Sequence, residues 1–165
     1  FETAEIAVQA ALTGHLVFST LHTNDAPSAV ARLVDMQVEP FLISSSLAGV
    51  IAQRLVRKVC EACRESYTPP AELAKEVAEQ KPAWAQAKGC KKCMNTGYKG
   101  RVAIFELLKI DEAIRPLIVT KVPASEIRKV AQANGMKGLR ADGLRKAAQG
   151  ITTVEEVLRV TQEEL

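Results

Sequence analysis

The chain has 165 residues, 47% hydrophobic and 25% charged, with a formal net charge of +3; that is enough apolar content for one core with a small satellite lobe, and too much for a disordered chain. A charge of +3 is too small to point to nucleic acid, and no apolar run approaches the roughly 18 residues that a membrane-spanning helix needs. No basic-apolar-small leader opens the chain and residues 1 to 13 begin in mid-helix, so the expectation is a piece cut from a longer cytoplasmic protein.

Taken in order, Glu2 to Thr13 carries apolar and polar stripes at helical spacing, and Gly14 stops it. His15 to Leu21 (HLVFSTL) is rich in β-branched and aromatic residues on both faces, which predicts a buried parallel strand. Asn24 and Asp25 are candidate N-caps for a helix with Pro27 in its first turn and Ala29, Val30, Leu33 and Val34 behind. Pro40 opens a further predicted helix that carries Phe41, Leu47, Ala48, Val50 and Ile51 and runs into the basic stretch Arg54-Leu55-Val56-Arg57-Lys58. Helix, strand and helix in this order predict an α/β core.

Cys60-Glu61-Ala62-Cys63 follows directly, and Cys90-Lys91-Lys92-Cys93 comes after 26 intervening residues. Each two-residue gap lets both sulfurs of a pair turn toward one ion, and two such knuckles complete a tetrahedral shell. Four thiolates leave no open coordination position, so the reading is structural zinc, in a reducing compartment where thiolates persist. A thioredoxin-like role for either pair would need it at a helix start after a strand, and two such pairs would be a coincidence. Four thiolates around a divalent ion retain about two negative charges, which suits Lys58, Lys88, Lys91 and Lys92 nearby; a solvated basic loop explains those lysines equally well. Between the knuckles, Pro69, Pro70 and Pro82 bracket a short helix with a thin apolar face, expected to rest on the metal rather than on a deep core.

Gly97 and Gly100 mark a turn into a returning strand, Val102 to Leu108. Asp111 can cap a helix that Pro116 shortens or kinks. Ser125 to Ala133 and Leu139 to Gln149 are two more helices, closed by Asn134-Gly135 and Gly150. Thr152 with Glu155, or Thr153 with Glu156, has capping-box spacing ahead of Val154, Val157 and Leu158.

The histidines are His15 and His22, with no third. His22 lies with Thr23, Asn24 and Asp25 at the C-terminal end of the predicted strand, where α/β sheets bind ligands. A capped helix start with a satisfied histidine explains the same residues, and spacing alone does not decide between the two. No GxxxxGKS/T occurs, so these residues contain no phosphate-cradling loop and are not expected to hydrolyse ATP alone.

ETAEIAVQAALTGHLVFSTLHTNDA (Glu2 to Ala26), GVIAQRLVRKVC, the paired cysteines, GYKGRVAIFELL and ITTVEEVLRVT resemble, in order, the C-terminal portion of bacterial type II secretion and type IV pilus assembly ATPases. The resemblance covers essentially the whole chain. It implies an α/β fold: the C-terminal part of a RecA-like P-loop ATPase core over 1–58, an inserted tetracysteine zinc-binding lobe over 59–100, and a returning strand with a C-terminal helical subdomain over 101–165. It implies a cytoplasmic homohexamer at the inner membrane that couples hydrolysis of ATP, with magnesium, to protein secretion or pilus assembly. Inner-membrane platform and cytoplasmic-ring proteins are the implied partners. In the family the Walker A lysine, acidic box and Walker B glutamate precede the position of Phe1, so catalysis by this piece alone is not expected.

By the same resemblance, His15 and His22 form a histidine box near the γ-phosphate, Arg54 and Arg140 lie near the nucleotide, and Cys60, Cys63, Cys90 and Cys93 bind zinc. For Arg140 an exposed helix arginine is as good a reading as an adenine contact. Retraction ATPases of the superfamily generally lack the cysteine lobe, so its presence favours the assembly or secretion branch. The competing function is a non-enzymatic zinc-ribbon interaction module with Lys88 to Cys93 as its contact surface. Nucleic acid is not expected as its partner, since aromatic content of 4% offers few stacking platforms and no basic stripe follows a helix.

Overall fold

A computed structural model describes residues 2–77 and 82–161. The described residues form eight α-helices and four strands, an α/β chain divided into two compact units. The first unit comprises Phe1–Ala52 and Glu106–Lys137, the second Gln53–Phe105 and Gly138–Leu165.

The first unit holds α1 (Glu2–Leu12), α2 (Ala26–Asp35), α3 (Pro40–Ser46), α5 (Arg115–Val119) and α6 (Ala124–Ala133). Asp25 starts α2 as predicted: its backbone is extended, its Oδ1 accepts from the Ser28 N–H at 2.8 Å, and Pro27 occupies the first turn. α3 packs on α5 and α2 on α6, burying Val30, Ile43, Ile114, Ile118 and Ile127. Before α5, Asp111 Oδ1 accepts from the N–H groups of Ala113 and Ile114, and Pro116 stands in the first turn of the helix. Proline therefore opens α5 instead of shortening or kinking it, because a first-turn nitrogen has no intrahelical bond to lose.

Two expectations for this half fail. The predicted buried strand from His15 to Leu21 has no ladder: neither sheet among the described residues contains it, and Leu16 and Phe18 are 81% and 88% exposed. Strand-forming side chains give an extended backbone, but a strand exists only where a neighbour accepts its hydrogen bonds. The predicted helix from Pro40 ends at Ser46, and Gly49–Val59 is the strand β1. Leu47 turns the backbone extended, and Ala52, Val56 and Val59 point inward beside exposed Gln53 and Leu55. The apolar residues of this run fit both periods, and pairing with β4 (Tyr98–Lys109) decides for the strand. The Ile110 N–H donates to Ala48 O and the Cys60 N–H to Gly97 O, so β1 and β4 are antiparallel.

In the second unit β2 (Arg64–Ser66) pairs antiparallel with β3 (Ala85–Ala87), Arg64 opposite Ala87 and Ser66 opposite Ala85. α4 (Ala71–Lys75) follows the two prolines, and residues 78–81 of the predicted inter-knuckle helix lie outside the described residues. This segment does not rest on the metal alone. Trp84 is buried with Leu144, Ala147, Ala148, Val154 and Val157 of α7 (Leu139–Ala148) and α8 (Val154–Val160), and Tyr67, Leu73, Val77 and Leu158 cover the cluster. A thin apolar stripe suffices when a partner more than sixty residues downstream supplies the other half of the core. Thr153, not Thr152, caps α8, accepting from the Glu156 N–H at 3.1 Å.

Candidate functional site

Cys60 follows β1 directly and Cys63 closes the turn into β2, while Cys90 caps and Cys93 ends a 3-10 turn between β3 and β4. The β2–β3 ladder sets the two knuckles side by side, and the four sulfurs lie within 4.8 Å of one another. Cys93 Sγ is 3.8 Å from both Cys63 Sγ and Cys90 Sγ. A disulfide would bring sulfurs to about 2.05 Å. Tetrahedral ligation with metal–sulfur bonds of about 2.3 Å gives sulfur–sulfur edges of about 3.8 Å, which these two separations match, so the cluster suits one ion.

The backbone is shaped for the same purpose. Cys93 Sγ accepts N–H groups from Cys90 and Gly97, both at 3.2 Å. Met94 and Asn95 are left-handed, with φ of 52° and 58°, and the Asn95 N–H closes the knuckle on Cys90 O at 2.9 Å. Gly97 has φ 76°, and a Cβ there would stand 2.6 Å from the Cβ of Ala87, so only glycine brings this turn against β3. Burial pushes the Cys63 thiol up to about 12, helped by its neighbouring thiols. Burial also raises Cys93, but the donated N–H groups outweigh it and bring that thiol down to about 6. The donated N–H groups favour the charged form of that sulfur, and four thiolates this close need a cation to balance them. Four clustered cysteines, two of them buried, fit a structural divalent ion such as zinc. Of the lysines near the knuckles, Lys88 pairs with Glu65, which chiefly raises its amine, and Lys58, Lys91 and Lys92 are exposed.

The histidine segment belongs to the first unit. His15 is exposed after α1, its Nδ1 3.1 Å from Thr13 Oγ1. His22 is exposed on the segment that leads into α2, where Thr23 Oγ1 donates to Asp25 O at 3.1 Å. In the second unit, Arg54 is half-buried on β1, and Arg140 in the first turn of α7 stands 3.6 Å from Glu76 Oε1. The cysteines are gathered into one cluster, whereas the histidines and these arginines stand on separate elements.

Two acids that sequence patterning does not single out as site residues are buried. Glu106 and Glu156 are 0% and 1% exposed. Glu106 carried a signal: on the alternating strand it shares the inward face with Ile104 and Leu108. Glu156 has capping-box spacing after Thr153, which carries no sign of its burial.

The profile of the family described as "Type II/IV secretion system protein" matches residues 1–159. The type IV pilus assembly ATPase PilB of Thermus thermophilus is 54% identical over 98% of this chain, and the type II secretion system protein E of Pseudomonas aeruginosa 53% identical over 99%. The type II secretion system ATPase E of Vibrio cholerae is 52% identical over 98%. The chain spans only 19% of the first relative's length and 33% of the other two. Among solved structures, the pilus retraction motor PilT with bound ADP superposes with a TM-score of 0.65 at 29% identity, over all of this chain and 38% of that one. The ATPase DotB of Legionella pneumophila shares the fold, with a TM-score of 0.61 at 22% identity over 98% of this chain and 36% of its own. A match over nearly the whole chain, with relatives more than half identical along it, makes this chain a member of the type II/IV secretion system protein family.

Proposed function

We propose that this chain is the C-terminal part of a RecA-like ATPase that drives type II protein secretion or type IV pilus assembly as a cytoplasmic hexamer on the inner membrane. The observation that carries it is identity of 52–54% over 98–99% of the chain to proteins named for those two tasks. No helix among the described residues is long and apolar enough to cross a membrane; on this reading partner proteins of a platform or ring hold the motor there. ATP and magnesium belong to the whole protein, since P-loop NTPases hold the nucleotide phosphates in a GxxxxGKS/T cradle and none occurs in these residues.

Within this reading His22, and less directly His15, face the γ-phosphate side of the nucleotide, and Arg54 and Arg140 contribute positive charge near it. An exposed histidine followed by Thr23 and Asn24 at a capped helix start can order water or sense a phosphate oxygen by hydrogen bonding. Cys60, Cys63, Cys90 and Cys93 hold zinc, which when bound cross-links β1, the β2–β3 hairpin and the start of β4. The 59–100 lobe also offers a contact surface to a partner protein, supported by Met94, 86% exposed beside two exposed lysines at the knuckle tip.

A chimera tests the reading. The homologous third of the Vibrio cholerae ATPase is replaced by this chain, and ATP turnover and secretion are measured. Retained turnover that His22→Ala lowers is the expected result. A folded, hexameric chimera without ATPase activity would overturn it, as would tight ATP binding by the isolated chain.

A further inference from the structure

Glu106 has no part in the metal lobe, yet it is a fully buried carboxylate whose two oxygens are both committed. Oε1 accepts from the Ala26 N–H at 2.8 Å, and Oε2 lies 3.3 Å from Arg128 Nη1. The other arm of the same guanidinium, Nη2, is 2.8 Å from Asp25 Oδ2. Asp25 in turn uses Oδ1 on the Ser28 N–H at 2.8 Å. One arginine fork from α6 therefore grips two carboxylates, and each of them holds a backbone N–H in the first turn of α2. All these residues lie within the first unit. A buried ionic group of this kind is seldom a gain in stability over an apolar replacement, so what it secures is geometry. The geometry secured is the exact start of α2, and hence the path of the residues just before it, His22-Thr23-Asn24.

We propose that Arg128, acting through Asp25 and Glu106, is the positioning residue for the histidine segment: the clamp on the first turn of α2 fixes where His22 is presented to the nucleotide. This rests on the reading of His22 as nucleotide-facing. Arg128 touches no reacting atom in this scheme. Its effect is transmitted by a short chain of hydrogen bonds, and small displacements of a positioned group are enough to cost activity.

The experiment uses the full-length ATPase carrying this segment, with steady-state ATP turnover and amide hydrogen exchange. Arg128→Met is expected to lower kcat about 10- to 100-fold with KM for ATP changed less than about 3-fold, the signature of misplacement and not of lost binding. Exchange at the Ala26 and Ser28 amides should quicken about 10-fold or more. His22→Ala combined with Arg128→Met should lose no more than His22→Ala alone, because the arginine acts through the histidine. The neighbouring exposed pair Lys129–Glu126 supplies a control, Lys129→Gln, with kcat unchanged. If Arg128→Met does not fold, Asp25→Asn keeps an oxygen for Ser28 while removing the charge toward Arg128, and is read the same way. Unchanged kcat in the clamp variants, or losses that multiply with His22→Ala, overturns the proposal while the ATPase reading stands. A normal kcat in His22→Ala alone overturns the nucleotide-facing reading and the proposal with it.

Discussion

Arg57 and Glu156 are 99 residues apart in the chain, and their side chains meet at 2.7 Å. Glu156 is buried at the start of α8 and also accepts from the Arg57 backbone N–H at 3.0 Å and from Arg159 Nε and Nη2. Arg57 lies 4.0 Å over the Tyr98 ring, whose hydroxyl is 2.9 Å from Thr153 Oγ1. β1, β4 and α8 of the second unit are thereby tied at one point, next to the first knuckle.

Burial alone would raise the Glu156 carboxyl, but the guanidinium groups of Arg159 and Arg57 outweigh it and hold it down at about 2, against an ordinary 4.5. A lowered folded value means that the unfolded chain binds the proton more readily. The pair's contribution is therefore full above pH 4.5 and is lost as pH falls toward 2. Both arginines are about half exposed, so we discount for solvent and expect Glu156→Gln to cost about 2 kcal/mol at neutral pH. Urea unfolding at pH 7 and pH 3 checks this. The gap between wild type and variant should narrow at the lower pH, and an equal gap at both would exclude the charge as the cause.

Trp84 gives an optical probe, because it is the chain's single tryptophan and is buried in the core shared with α7 and α8. Phe or Ala in its place should destabilise the second unit, Trp84→Ala by about 3–5 kcal/mol as for other large aromatic deletions. The first unit, with its own core, should keep its hydrogen-exchange protection. Coincident loss of both would show that the two units unfold together.

What was legible in the sequence was local. Asp25, Thr153 and the glycines after α6 and α7 announce helix ends because capping involves neighbours a few residues apart, and a CxxC knuckle is equally self-contained. Pairings were not legible. Gly49–Val59 becomes a strand because Tyr98–Lys109 lies alongside, and nothing within eleven residues of alternating and helical apolar spacing reveals that partner. The same limit hid the role of Trp84, whose contacts lie in α7 and α8, and that of Glu106, whose value depends on Arg128 and Ala26. Leu16 and Phe18 show the opposite error: strand chemistry is present, and no ladder among the described residues completes it.

Metal analysis of the purified protein should find about one zinc per chain, the stoichiometry of a four-thiolate site. Chelation removes the balancing cation from four sulfurs within 4.8 Å, so the knuckles should open. The Gly97 and Cys90 amides, which donate to Cys93 Sγ, should lose hydrogen-exchange protection first. Cys93→Ser should mimic the chelated state, since that sulfur gathers both N–H donors. A metal-free protein with the same protection at these amides would contradict a structural role for the ion.

Gly143 sits inside α7, and a Cβ there would meet Val157 Cγ1 of α8 at 2.6 Å. Two effects of Gly143→Ala oppose each other. Alanine is the better helix former by about 1 kcal/mol, while forcing a methyl into a closed contact costs about 1–3 kcal/mol. Val157 is fully buried and lies against the Trp84 core, so it has little room to move, and the clash should win. The single variant is therefore expected to lower stability by about 1–2 kcal/mol. Adding Val157→Ala vacates the space the new methyl needs, so the double variant should lose less than the sum of the two singles by about 1 kcal/mol or more. Additive losses in denaturant melts would mean that α7 and α8 can shift apart at this contact, and that Gly143 is not what sets their close approach.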